Sequence, residues 1–346
     1  MPSPDDKKEP RSPEDVSSRP GVLAEFLDVD LAAEVQRMLL QIPRGRITTY
    51  GALSRGLGDD KTRSARWLGD YLHHHPHTGE CPCHRVVRVG GEIGLHVSGS
   101  PQQKAALLKQ EGVIVSSQGK VDVTHPFTRF ISTRPLQRLR DFQLELRKQF
   151  RSVPLKKKVR TVAGVDVAYR GDGTAYAAYV LLDFPNLSVV HELSLSMPVS
   201  FPYIPGYLTF RELPPMLAIC EQAREQQLLG DVLFCDGNGQ LHPWRAGIAT
   251  CLGVLLNHPT IGIGKSLLCG TIRKSEPDSS LELVCDGEDV IGEVISASPS
   301  SRPVYVSAGN RITLEDASRL ARQSFSRHRI PEPIFLADRN SKRLKK

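Results

Sequence analysis

Apolar residues along the chain follow two periods, and the change between them divides the sequence. Residues 22–46 carry helical spacing, with Val35, Met38 and Leu39 on one face, and the pattern ends at Pro43. ITTYGALSRGL predicts a second short helix capped by Thr48 or Thr49, and KTRSARWLGDYLHHH a third. Two short helices joined in this way fit a helix-turn-helix, and packing alone fits them too. CPCHRVVRVGGEIG reads as a loop entering a short strand with a Gly-Gly turn. Residues 101–111 are predicted helical, with Gly112 as the stop. The pattern breaks over residues 124–135, and residues 135–151 then form an amphipathic helix with Leu136, Leu139, Phe142, Leu146 and Phe150 on one side.

From residue 161 the period shortens to that of strands. TVAGVDVAY, YAAYVLLDF and SVVHELSLS follow one another across short turns, which predicts an antiparallel meander. A helix over 212–226, the buried strand DVLFCDG, a helix over 244–257 and the buried strand TIGIG come next. Hairpins followed by alternating helix and strand predict an α/β fold, a mixed sheet flanked by helices.

Composition adds limits. A length of 346 residues with 40% hydrophobic content allows two domains with sizeable cores. Residues 1–20, rich in Pro, Ser and charge and without an apolar stretch, predict a disordered tail rather than a secretory signal. No run of eighteen apolar residues exists, so no membrane span is expected. The net charge of +7 suits a polyanionic partner without requiring one. Between Arg134 and Arg160 ten Lys/Arg face two Asp/Glu, which on its own reads as a solvated helix face. Seven cysteines, an odd number with several inside apolar runs, point to free thiols in a reducing, cytoplasmic compartment.

Two aspartates stand out in the second half. Asp166 lies inside the apolar strand AGVDVAY and Asp236 ends VLFCDG. A lone ionised carboxylate in such surroundings is costly, and capping, ion pairing or a cation would each resolve it. Gly237 and Gly239 after Asp236 allow close backbone approach at a strand end, where ligand sites gather in such sheets. Glu212 opens the predicted helix after Phe210-Arg211, while His242 and Lys265 each follow a buried strand and its loop. Three carboxylates meeting at one sheet edge would form the oxygen-rich site that Mg²⁺ prefers, with positions left for water and phosphate oxygens.

AGVDVAY, FPYIPGYLTFRE, CDGNGQLHPWRAGIA, PTIGIGKSLLCG and PEPIFLAD resemble endonuclease V, in the same order and with similar spacing. The resemblance implies an RNase H-like fold and a Mg²⁺-dependent enzyme, with Mn²⁺ as a substitute. It would nick DNA on the 3′ side of deoxyinosine at the second phosphodiester bond. By motif, Asp166, Glu212 and Asp236 hold the metal, and His242 and Lys265 support catalysis. Pro202-Tyr203-Ile204-Pro205 matches the wedge that enters the strand gap beside the damaged base. Two prolines stiffen such a loop and a tyrosine offers a stacking face, although a tyrosine beside prolines also commonly packs on the core. Backbone around Gly206 and Gly237 is expected to line a pocket for the flipped base. Two departures remove an imidazole: Asn238 and Asn310 stand where the family usually has histidine.

In the first half, Cys83 is flanked by His84 and Arg85, whose charge favours thiolate. A structural cysteine is the plain alternative. Zinc bound by some of His73, His74, His75, His77, Cys81, Cys83 and His84 is another, although the spacing matches no common zinc pattern. Residues 42–112, with IPRGRITTYGALSRGLG and CPCHRVV, resemble the winged helix-turn-helix, DNA-binding domain of O6-alkylguanine-DNA alkyltransferases. That resemblance makes Cys83 the alkyl acceptor, His84 its base through water and Glu111 the partner orienting His84. Tyr50 would press the target phosphate outward, and Arg66 would fill the space left by the flipped base. His75 replaces the family's asparagine, and LHVSGS over residues 95–100 replaces its Tyr-Ser-Gly-Gly loop. The expected layout is a tail over 1–20, an alkyltransferase-like domain over 21–127 and a nuclease domain over 128–346. A monomer acting on DNA that carries deoxyinosine or O6-alkylguanine is expected. A non-catalytic lesion-binding first domain, and a nuclease preferring inosine in RNA, are the alternatives.

Overall fold

The computed structural model describes residues 29–76, 81–95, 99–275 and 281–345; the predicted tail and the start of the first predicted helix lie outside them. Helix α1 (Leu31–Leu39) begins at Asp30, whose side chain accepts from Ala33 N at 2.9 Å. It ends well before residue 46, because the chain must turn through Pro43 and through Gly45 at φ 73°. Strand β1 (Thr48–Thr49) pairs in parallel with β2 (Val86–Val87). Thr49 then caps α2 (Tyr50–Gly56), accepting from Ala52 N at 3.1 Å. Helix α3 (Ala65–His74) follows, and a tight 3₁₀ turn over Pro82–Arg85 carries the Cys-His-Arg sequence into β2. Helix α4 (Pro101–Gln110) stops at Gly112, φ 84°, as the sequence predicts. Bridges Glu92↔Lys120 and Val115↔Val121 close a small wing.

The second body is built on a mixed sheet of nine strands. Strands β3 (Thr161–Tyr169), β4 (Thr174–Asp183) and β5 (Val189–Pro198) form the expected meander. Strands β6 (Val232–Asp236) and β7 (Thr260–Gly264) join β3 in parallel, giving the RNase H-like order. Four further strands, β8 (Thr271–Lys274), β9 (Glu282–Asp286), β10 (Asp289–Ile295) and β11 (Val304–Asn310), extend the sheet beyond β7. The order across the sheet is β5-β4-β3-β6-β7-β11-β10-β9-β8.

Alternation along the central strands fills two layers. Ala163, Val165, Leu233 and Cys235 pack under α5 (Pro135–Lys148), α6 (Thr209–Glu225) and α7 (Ile248–Leu255). Val162, Val232 and Phe234 pack under α8 (Leu314–Gln323) and α9 (Glu332–Lys345). Helix α9 comes very close to β3: a Cβ on Gly164 would lie 1.9 Å from the Pro333 carbonyl oxygen. Two predicted boundaries move. Helix α6 begins at Thr209, so Glu212 occupies its first turn rather than its start, where negative charge suits the helix dipole. Helix α7 begins only at Ile248, because Arg245 adopts φ 52° and breaks the helix predicted from 244.

The two bodies share apolar surface. Leu136 and Leu139 of α5, with Phe201, Ile204, Tyr207 and Phe210, pack into the same cluster as Met38, Leu53, Leu57 and Leu68. Leu136 N also donates to Leu57 O at 2.9 Å.

Candidate functional site

Parallel pairing of β3 with β6 matches Val165 to Cys235, so Asp166 and Asp236 leave the sheet side by side. Asp338 of α9 completes a group of three carboxylates whose nearest oxygens all lie within 4.8 Å of one another. Asp166 is 7% exposed. Burial raises its carboxyl well above the ordinary range, and the Asp236 charge adds to this. Ser341 Oγ donates to Asp166 Oδ2 at 2.6 Å, which favours the charged form and partly offsets that rise. Lys265, just after β7, pairs with Asp236 and lies 3.2 Å from Asp338 Oδ1. Burial opposes its charge, but Asp236 and Asp338 outweigh that and raise its pKa.

Glu212 lies beside this cluster rather than inside that 4.8 Å group. Burial, and then the Asp236 charge, push its carboxyl up to about 7. It lines a cavity of about 370 Å³ together with Gly206, Gly237, His242 and Trp244. Gly237 is required there by shape: φ is 141°, and a Cβ would come within 2.5 Å of Ile248. Burial, with Arg63 nearby, lowers His242 to about 4, so the imidazole is neutral, and its Nδ1 accepts from Trp244 N at 3.2 Å. Arg63 also lines the cavity, although it belongs to the turn between α2 and α3 in the first body. Its guanidinium lies 5.9 Å from the Trp244 ring centroid, and a Cβ on Gly206 would be 2.5 Å from its Nη1.

In the Pro202–Pro205 loop, Tyr203 is 65% exposed and presents its ring to solvent. Pro202 is half-buried and Pro205 exposed. Ile204 is fully buried in the shared cluster and anchors the loop to the first body.

The first body holds its own constellation. Cys83 is buried in the 3₁₀ turn. His84 Nε2 lies 3.0 Å from Glu111 Oε1, while Arg85 donates to both Glu111 oxygens at 2.8 and 2.6 Å. Burial opposes the Glu111 charge, but the Arg85 and His84 bonds outweigh it and hold the carboxyl at about 2. Cys81 and His75 adjoin Cys83; a hydrogen bond from the Cys83 thiol lowers Cys81 and, with burial, pushes Cys83 well up, so His84 and Arg85 do not give the thiolate that the sequence predicts. Tyr50 is half-buried close enough to feel Cys83, and Arg66 is exposed on α3. Lys104, 2% exposed, donates to Val86 O at 2.6 Å and is lowered to about 8 by burial.

Residues 144–339, more than half of the chain, match the family model of Endonuclease V. The chain belongs to the endonuclease V family. Residues 30–113 match the model of the 6-O-methylguanine DNA methyltransferase DNA-binding domain, so the chain is a fusion of the two. Endonuclease V of Roseiflexus sp. strain RS-1 is 44% identical over 182 residues, covering 52% of this chain and 80% of the relative. That of Azotobacter vinelandii is 45% identical over 186 residues, 53% of this chain and 82% of the relative. The Ciona intestinalis endonuclease V structure, in complex with a 24mer DNA containing an inosine followed by a ribo-adenosine, gives a TM-score of 0.55 at 31% identity. It covers 60% of this chain and 96% of that one. The human endonuclease V catalytic domain gives 0.55 at 33%, covering 62% and 97%.

Against this endonuclease V background, three residues of the site carry no signal in the sequence. Asp338 stood in plain view within PEPIFLAD, but nothing in a helical segment says which carboxylate returns to β3. Ser341 follows it by three residues, one helical turn further along α9. Arg63 had no sequence signal, since its role depends on how the two bodies dock. The two asparagine departures also separate. Asn310 is structural: its Oδ1 accepts from Arg151 N at 2.9 Å and its Nδ2 donates to Gly253 O at 2.8 Å. Asn238 lines the cavity, and its Oδ1 is buried with no hydrogen-bond partner among the described residues.

Proposed function

We propose that this protein is a Mg²⁺-dependent endonuclease that nicks DNA 3′ to deoxyinosine at the second phosphodiester bond, fused to an alkyl-accepting domain for O6-alkylguanine. The observation that carries the nuclease reading is the Asp166–Asp236–Asp338 group beside the cavity that Glu212 lines. The residues fit a hard divalent cation. All the donors are oxygens, Asp166 is buried beside the Asp236 charge, and a lysine ammonium already pairs with Asp236. Asp166, Asp236 and Asp338 would hold the ion, with Mn²⁺ able to replace Mg²⁺. When bound, it supplies Lewis acidity and lowers the pKa of a coordinated water.

The chain's own groups do the rest. Glu212, titrating near neutrality at the cavity wall, exchanges a proton at its carboxyl oxygen. Lys265 offsets negative charge on the acids and on the phosphate. The cavity takes the flipped base, with neutral His242 offering a hydrogen bond and the Arg63 guanidinium facing a purine O6 or N7. Tyr203 stacks in the gap left behind, on a loop that Ile204 anchors.

In the first domain, the His84–Glu111 contact supports acceptor chemistry at Cys83. There the Sγ–C bond forms as the C–O6 bond breaks. The O6 electron pair stays with guanine, and the thiol proton passes through His84 to the departing purine. Tyr50 and Arg66 would work on the phosphate and on the vacated stack. We place the domains at 21–127 and 128–346 after a tail over 1–20. The protein would act as a monomer in the cytoplasm, in keeping with seven cysteines outside any disulfide.

Mapping the product ends on a single-lesion deoxyinosine duplex tests the nuclease. Cleavage one bond beyond the lesion's own 3′ phosphate is expected, and Asp166→Ala and Asp236→Ala should abolish it while binding persists. Random cleavage, or full activity in either variant, rejects the reading. Incubation with O6-methylguanine DNA should add one methyl mass to the Cys83 peptide; without it the domain only binds lesions. A second substrate reading, inosine in RNA, has support in the ribo-adenosine of the Ciona complex. Matched DNA and RNA strands would decide it.

A further inference from the structure

We propose that His75, Cys81 and Cys83 form a zinc site in the first domain. The 3₁₀ turn over Pro82–Arg85 brings the two sulfurs together across Pro82. His75 caps α3 with extended backbone, ψ 153°, which lets its ring meet them. Nε2 and both Sγ atoms lie within 4.8 Å of one another, and Nε2 is 3.2 Å from Cys81 Sγ. Tetrahedral zinc, with bonds of about 2.0–2.1 Å to nitrogen and about 2.3 Å to sulfur, separates such ligand atoms by about 3.6 Å. The unliganded cluster is therefore already close to the required span.

The imidazole tautomer is fixed in the right sense. His75 Nδ1 lies 3.0 Å from Leu72 O. A carbonyl oxygen accepts only, so Nδ1 carries the proton and the Nε2 lone pair faces the sulfurs. A carbonyl orienting a ligating histidine in this way is the usual outer-shell support of a zinc site. His75 and Cys83 are each 4% exposed, while Cys81 is half-buried and leaves the site open on its side. Two sulfurs and an imidazole, with no carboxylate among them, select zinc over the hard ions that suit the acidic cluster.

Three protein ligands leave one tetrahedral position for water or a substrate atom, as in reactive rather than purely structural sites. Loading displaces the remaining thiol protons to solvent, so Cys83 would be a thiolate at neutral pH. A zinc-loaded Cys83 has no thiol proton to relay through His84, so alkyl transfer by that route would belong to the zinc-free protein. The alternatives are a metal-free hydrogen-bonded thiol pair and a Cys81–Cys83 disulfide.

The test uses the full chain, expressed without a histidine tag and dialysed. Elemental analysis should find about one tightly held zinc per chain. Replacement by Co²⁺ should give near-ultraviolet sulfur-to-metal charge-transfer absorption, which an all-oxygen site cannot produce. The band should survive Asp166→Asn with Asp236→Asn and disappear in Cys81→Ser and Cys83→Ser. Chelation should speed iodoacetamide labelling of Cys83. Wild-type protein with neither tight zinc nor a cobalt–thiolate band overturns the proposal. So does a band unchanged in Cys81→Ser, or isolation of the wild type as a metal-free Cys81–Cys83 disulfide. The wild-type readings need no variant to fold.

Discussion

Glu212→Gln separates what the carboxylate does for chemistry from what it costs the fold. Its carboxyl titrates at about 7 rather than the ordinary 4.5. Raising the carboxyl from 4.5 to about 7 corresponds to about 3.4 kcal/mol if fully expressed. The side chain keeps some solvent at the cavity wall, so about half of that, ~1.5–2 kcal/mol, is the working figure. The sign follows from proton counts. Between pH 4.5 and 7 the folded metal-free protein binds more protons at this site than the unfolded chain. The favourable contribution of the neutral acid is complete below 4.5 and is lost as pH rises through 7. Glutamine stays neutral throughout. Urea unfolding of the metal-free full chain should show equal stabilities near pH 4.5, diverging until the variant is the more stable by ~1.5–2 kcal/mol at pH 8. Mg²⁺ should narrow the gap by binding the wild type more tightly, and the variant should not nick. A variant equally or less stable at pH 8, or a gap that widens toward acid, would refute the assigned burial and charge coupling.

Three other substitutions probe the architecture. Arg63→Ala should weaken nicking of deoxyinosine duplex by about 10–100-fold, the worth of a charged hydrogen bond, chiefly through KM. Binding of undamaged duplex should be unchanged, and an equal loss on both DNAs would remove Arg63 from base recognition. Gly164→Ala touches no carboxylate, yet its Cβ needs the space of the Pro333 carbonyl. It should displace α9 with Asp338 and Ser341 and suppress nicking while DNA binding persists; wild-type nicking would show that α9 does not position the site. Asn310→Ala leaves Arg151 N and Gly253 O without its side chain and should cost about 2–3 kcal/mol in denaturant unfolding. Activity per folded molecule should be unchanged, and a selective fall in turnover would restore a catalytic role to that position.

What the sequence reveals here depends on whether the cause is local. Asp166 and Asp236 are legible because an acid inside a Val-, Leu- and Phe-rich strand has few resolutions, and parallel pairing then sets them side by side. The meander is legible from alternation, and the threonine cap to within Thr48 or Thr49, of which Thr49 caps α2. Asp338 is not legible, since α9 is amphipathic like any surface helix and only its close packing against Gly164 returns it to β3. Strand β8 is exposed along its whole length and so has no alternating face to betray it. Ile204 and Arg63 answer to the other body, and no periodicity within one body reports a docking partner. The shift in the start of α7 comes from a left-handed Arg245, a conformation for which arginine gives no signal.

The central claim is that Asp166, Asp236 and Asp338 act through a shared divalent cation. The most direct measurement follows nicking of one deoxyinosine duplex by the full chain in Mg²⁺, then in EDTA, then after Mg²⁺ is restored. Cleavage that stops on chelation and returns with the ion is predicted. Undiminished cleavage in EDTA would contradict it.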